Sequence, residues 1–127
     1  MKLHLSDNSG LNIFSGYGDG YVAVNQVRYT DSMIVLPEQI VEHWPVSSIN
    51  QLEMEHFDPL LAVQPEIILL GTGISLQFPN ASLIKKILAR GIGFEAMDTH
   101  AVCRTYNILS SEGRHVAAAI FVRPPDR

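Results

Sequence analysis

Gly91–Val122, GIGFEAMDTHAVCRTYNILSSEGRHVAAAIFV, is the stretch on which the fold turns. Phe94 to Met97 reads as a strand. Asp98 or Thr99 caps a helix running to about Ser111, and His115 to Val122 reads as the next strand. The helix carries the only cysteine, Cys103, with Arg104 beside it. Side chains of this kind at a strand-to-helix junction stand where α/β proteins tend to keep their sites. That locates a candidate site and names no reaction.

Moving upstream, Ile67-Ile68-Leu69-Leu70 is a β-branched-rich run apolar on both faces, as expected of a central strand covered on both sides. Gly71-Thr72-Gly73 ends it. Asn80 then caps a helix whose apolar stripe is Leu83, Ile84, Ile87 and Leu88, with Lys85, Lys86 and Arg90 on the solvated side and Gly91 as its stop. The second half therefore reads β-α-β-α-β. Before it the signal is mixed: Pro37 to Asn50 gives no clear element, and Trp44-Pro45 halts any helix begun there. A segment starts at Ser48 or Asn50 and runs through Met54, and Glu55 to Val63 reads as a short helix limited by Pro59. The first forty residues read as β-structure. Leu11, Ile13 and Ser15 alternate with Asn12 and Phe14, Gly16 to Gly20 form a turn, and Tyr21 to Val24 resumes the strand. Asn25-Gln26 closes a hairpin to Val27 and Tyr29, and Ser32 to Leu36 is a further buried strand.

The 127 residues imply one domain over 1–127, large enough for a core without staples. Nine Lys and Arg against 13 Asp and Glu give a net charge of -4, which argues against nucleic-acid binding. A single cysteine excludes an internal disulfide and multi-cysteine zinc sites. The opening MKLHLSDNSG has no apolar core of signal-peptide length, and no run approaches the roughly 20 residues that span a bilayer. A cytoplasmic protein without membrane insertion is expected. Its oligomeric state is left open.

Each candidate site has a plainer account beside it. Gly71, Thr72 and Gly73 form either a tight turn or a backbone cradle for an anion. Leu76 stands where the third glycine of a dinucleotide fingerprint would fall, and no Gly-Lys-Ser/Thr follows. Cys103, one turn into its helix with His100 three residues before it, is either an activated thiolate or a small buried hydrophobe. Arg104 and Asn107, with Tyr106 and Arg114, either present a guanidinium–amide facet for an anionic ligand or pair internally with Asp98, Glu112 and buried backbone. Glu53, Glu55, His56 and Asp58 invite a metal reading but are better explained by the helix dipole. Trp44 is either an exposed interaction anchor or a core plug with its N–H paired.

Pro65-Glu66-Ile67-Ile68-Leu69-Leu70-Gly71-Thr72-Gly73, Met97-Asp98-Thr99, Cys103-Arg104-Thr105-Tyr106-Asn107 and Glu112-Gly113-Arg114 together resemble the Mth-like domain family, over nearly the whole chain. That family of largely unassigned function includes bacterial and archaeal stand-alone proteins, a mitochondrial assembly factor of respiratory complex I and the adipogenesis-associated Mth-like protein. The resemblance implies a three-layer α/β fold with a mixed, five-stranded sheet and an additional small β element. His100 departs from the small residue expected there, which counts against a Cys–His pair. Two functions follow as expectations. One is a non-catalytic interaction or assembly-accessory module with a protein partner and no cofactor. The other is a small-molecule or anion binder, or an enzyme, at Gly71, Thr72, Gly73, Asp98, Thr99, Cys103, Arg104 and Asn107, which requires a shared pocket and a depressed thiol pKa.

Overall fold

A computed structural model describes residues 10–122. Strands β1 (Phe14–Gly18), β2 (Tyr21–Val24) and β3 (Val27–Tyr29) form a three-stranded antiparallel sheet. Strands β4 (Met33–Leu36), β5 (Gln39–Val41), β6 (Ile67–Gly71), β7 (Gly93–Met97) and β8 (Val116–Ile120) form a five-stranded sheet in the order β5-β4-β8-β6-β7. In it β6 runs parallel to β7 and β8, whereas β4 is antiparallel to β5 and β8. The helices are α1 (Asp58–Ala62), α2 (Ala81–Leu88) and α3 (Thr99–Ser111). This is the mixed α/β architecture expected from the chain.

The apolar run of β6 has the double cover its composition requires. Ile68 and Leu70 join Leu60, Leu83, Ile87 and Trp44 in one core, and Leu69 joins Phe14, Val102, Cys103 and Tyr106 in another. Successive strand residues point to opposite faces, so a strand buried on both must be apolar throughout. On one side α1 and α2 cover the sheet; on the other, α3 and the small sheet do. Glu66 anchors the start of β6, accepting from the His115 N–H at 3.0 Å and from Arg114 Nε at 3.3 Å. These bonds, the backbone one foremost, hold its carboxyl below the usual range.

Four local expectations are corrected. At the N-terminal end it is Asn12 and Phe14 that are buried, not the Leu11–Ile13 row. The Asn12 amide donates to Leu36 O at 2.8 Å and Gln39 O at 3.2 Å, tying the segment before β1 to the end of β4 and the start of β5, while Phe14 enters the core. Gly16 and Gly18 belong to β1 and the turn is Asp19-Gly20. Gly18 lies under Tyr21, where an added Cβ would come within 2.5 Å of the ring. Within the mixed stretch after Pro37, β5 is a strand that local pattern did not reveal. In α2, Leu83 and Ile87 are buried as expected but Leu88 is 50% exposed.

Trp44 is a core plug. It is 4% exposed, donates from Nε1 to His56 O at 2.9 Å, and packs on Phe57 and Phe121, so it is no exposed anchor. His56 itself accepts the Glu53 N–H at Nδ1 at 2.9 Å in a capping box, and among the described residues no group of three or more His, Cys, Asp or Glu is placed to hold a metal ion.

Candidate functional site

The C-terminal ends of β6, β7 and β8 lie in register, with Gly71 opposite Met97 on one side and Ile120 on the other. The two strand-to-helix corners, far apart in the chain, are therefore neighbours at one edge of one sheet. They are joined directly. The Thr72 N–H donates to Met97 O at 2.9 Å, and the Thr99 N–H donates to Gly73 O at 2.8 Å. The Thr99 hydroxyl donates to Phe121 O at 2.6 Å and accepts from the Gly73 N–H at 2.8 Å. Gly71 permits this closeness, since a Cβ there would sit 2.8 Å from Ile120 Cγ2 and 3.0 Å from Thr99 Oγ1. Gly73 adopts φ +96°, the left-handed region glycine enters without strain.

The junction that could have cradled an anion is thus filled by Thr99, and Gly73's N–H is already spent. Thr72 and Thr99 are 4% and 3% exposed. Three surface clefts among the described residues lie elsewhere: beside Arg28 and His43, beside Leu61 and Arg90, and between Met54 and Lys86. None of them is lined by Gly71, Thr72, Gly73, Asp98, Thr99, Cys103, Arg104 or Asn107.

Along α3 the candidate residues point apart. Asp98 caps the helix, accepting the Ala101 N–H at 2.9 Å. Cys103 is fully buried, and that burial pushes its thiol up to about 12, with Arg104 offsetting only part of the effect. The depressed pKa a catalytic thiolate requires is reversed here. His100 stacks on Tyr17 at 4.4 Å and donates from Nε2 to Gly18 O at 3.1 Å. Asn107 also turns inward, accepting the Phe14 N–H at 2.9 Å and donating to Phe14 O at 2.8 Å. It satisfies the edge of β1 as another strand would. Arg104 is exposed and donates to the Tyr17 hydroxyl at 2.9 Å, rather than pairing with Asp98 or Glu112. A guanidinium–amide–thiol facet does not form, because Cys103 and Asn107 serve the core and Arg104 lies outside it.

One feature of this edge escaped sequence reasoning. Directly after the sealed corner, Ile74, Leu76 and Phe78 are 77%, 52% and 69% exposed. The Thr72 hydroxyl fixes the loop from within, donating to Ser75 O at 2.7 Å and accepting the Gln77 N–H at 3.1 Å. The signal available was three large apolar residues at alternate positions in a segment too close to the Asn80 cap to be another strand.

Among the described residues no helix is long and apolar enough to cross a membrane. A family model described as a protein of unknown function (DUF498/DUF598) matches residues 14–121. The chain is 32% identical over 108 residues to the "13 kDa major membrane protein" of Francisella tularensis subsp. holarctica, covering 84% of this chain and 88% of that one. It is 37% identical over 93 residues to the "NADH dehydrogenase [ubiquinone] 1 alpha subcomplex assembly factor 3" of Danio rerio. That match covers 72% of this chain and 52% of the relative, so the chain spans about half the zebrafish protein's length. The solution structure of a Bordetella pertussis protein described as a Mth938-like domain superimposes with a TM-score of 0.80 at 32% identity, covering 99% of this chain and 95% of that one.

Proposed function

From the premise that the chain belongs to the DUF498/DUF598 family of proteins of unknown function, the Mth938-like domains, we propose that it is a non-catalytic assembly-accessory module acting through a protein partner. The observation that carries this reading is the closure of the sheet edge by Thr99. The position where an α/β fold would hold a small ligand is occupied by the protein's own hydroxyl and backbone. The buried, protonated Cys103 supports it too, since a thiol held near 12 is a poor nucleophile at neutral pH. Similarity to an NADH dehydrogenase subcomplex assembly factor supports a partner drawn from a multi-subunit assembly. A cytoplasmic location is part of the proposal.

The test is recovery of the chain, tagged at its own chromosomal locus, after brief crosslinking in living cells. The expected result is a stoichiometric partner, together with loss of that partner's assembled complex when the gene is deleted. Recovery of the chain alone, with every multi-subunit complex assembling normally in the deletion strain, overturns the reading.

A further inference from the structure

We propose that the loop Ile74–Phe78, together with the open side of α2, is the docking surface for an amphipathic helix of a partner protein, one whose apolar stripe is edged with carboxylates. The inference rests on the assembly-accessory reading and names the surface through which it would act.

Scattered exposed apolar residues are ordinary, but three large ones within five positions are not. Ile74, Leu76 and Phe78 keep 77%, 52% and 69% of their surface in water. The loop that carries them is fixed by the Thr72 hydroxyl on both of its limbs. A surface held in its binding shape loses little freedom on association. Leu88, 50% exposed, sits with half-buried Ile84 one turn apart on α2, a ridge against which a second helix can lie.

Charge identifies the occupant. From Ile67 to Phe94 the chain has no Asp or Glu, although it has 13 elsewhere. That segment carries Lys85, Lys86 and Arg90, which make no ion pair among the described residues. The facing side chain on the neighbouring element is Glu53, across the cleft it lines with Met54, Ser82 and Lys86. Its carboxylate also accepts in the capping box of its own 3-10 turn and keeps its charge there, so Lys86 is partly offset. An apolar loop that leads into a helix bearing Lys85 and Lys86, in a segment free of acidic residues, complements apolar side chains flanked by Glu or Asp. An anionic bilayer has related chemistry, but lipid-reading segments gather about four to eight Lys or Arg. Three cations here, with 13 acidic residues and six other Lys and Arg in the rest of the chain, favour the protein partner.

The experiment titrates the isotope-labelled full chain with a synthetic helical peptide bearing leucines at i, i+3, i+4 and i+7 and flanking glutamates. The expected result is saturable amide shifts confined to residues 73–90. Ile74→Ser/Leu76→Ser/Phe78→Ser should weaken binding by about tenfold or more. Lys85→Glu/Lys86→Glu should weaken it similarly, and should take up a peptide with lysines in place of the glutamates. Retained amide spectra show that both variants are folded. Four results overturn the proposal: no saturable binding, shifts outside the segment, equal affinity of the native chain for both peptides, or sedimentation with phosphatidylserine vesicles in place of peptide binding. If the peptide fails while the crosslinked partner is still recovered, the surface is wrong and the assembly reading stands. If the partner is recovered equally by the triple-serine variant, the same holds.

Discussion

Gly71, Thr72 and Gly73 are buried, whereas Ile74, Leu76 and Phe78, beginning one residue later, are 77%, 52% and 69% exposed. The first stretch closes β6 and the second follows it, and the two share one organising side chain. The backbone N–H of Thr72 reaches across to Met97, while its hydroxyl holds the loop that follows. In the first stretch, polar groups are matched inside the protein and small residues allow close approach. In the second, large apolar groups are left in water. The usual place for a ligand in an α/β sheet has been converted into a mechanical joint, and unsatisfied surface has been moved outward to the loop. The proposed docking face accordingly lies outside the sealed corner, on the exposed loop.

The sharpest break of that comparison is Thr99→Val. Valine keeps the shape but leaves the Gly73 N–H and Phe121 carbonyl buried without partners. An expected loss of about 2–4 kcal/mol in urea unfolding follows from two orphaned groups. A loss below about 0.5 kcal/mol would mean water reaches the joint and the corner is not sealed. Gly71→Ala should follow at about 1–3 kcal/mol, because its Cβ would press on Ile120 and on Thr99 Cα at 3.2 Å, and backbone cannot yield cheaply.

How much of this was legible in the chain differs between its parts for a physical reason. β6, α2, β7, α3 and β8 follow from periodicity and caps, both local in sequence: Asn80 and Asp98 cap as expected, at 2.7 and 2.9 Å. The Thr99 lock joins residues 26 and 22 positions apart, and the Asn107 bonds to Phe14 span 93. No local pattern encodes such pairings. Thr99 looked like a second cap because Thr at a helix start usually is one. The inverted burial of Asn12 and Phe14 was hidden for the same reason, since Asn12 is paid for by carbonyls at the end of β4 and the start of β5. Gly71 was visible only as a turn glycine, because its tight neighbours come from other strands.

A pH dependence sharpens the contrast from the buried side. The Cys103 thiol is raised by burial from an ordinary 9.0 to about 12 in the folded protein. Its neutral form is favoured, so its contribution is full below about pH 9 and falls as pH rises toward 12, once the unfolded chain binds fewer protons. The native chain should lose stability over that window more steeply than Cys103→Ala, as read by urea midpoints at matched pH. Alkylation of the folded protein at pH 8 should proceed only through opening, far more slowly than in urea. Fast labelling with an inflection near neutrality would return Cys103 to the list of reactive groups and unseal the corner.

The smallest expected effect lies in the open stretch. Ile74→Ser, Leu76→Ser and Phe78→Ser should each change stability by no more than about 0.5 kcal/mol, because side chains already in water have little burial to lose. A fall of more than about 1.5 kcal/mol for Phe78→Ser would mean the ring packs in solution, and the exposed face would shrink to Ile74 and Leu76. A small gain in stability or solubility would be the more telling result. It would show that these apolar groups cost the isolated protein something, as the docking proposal expects of a loop whose partner is absent.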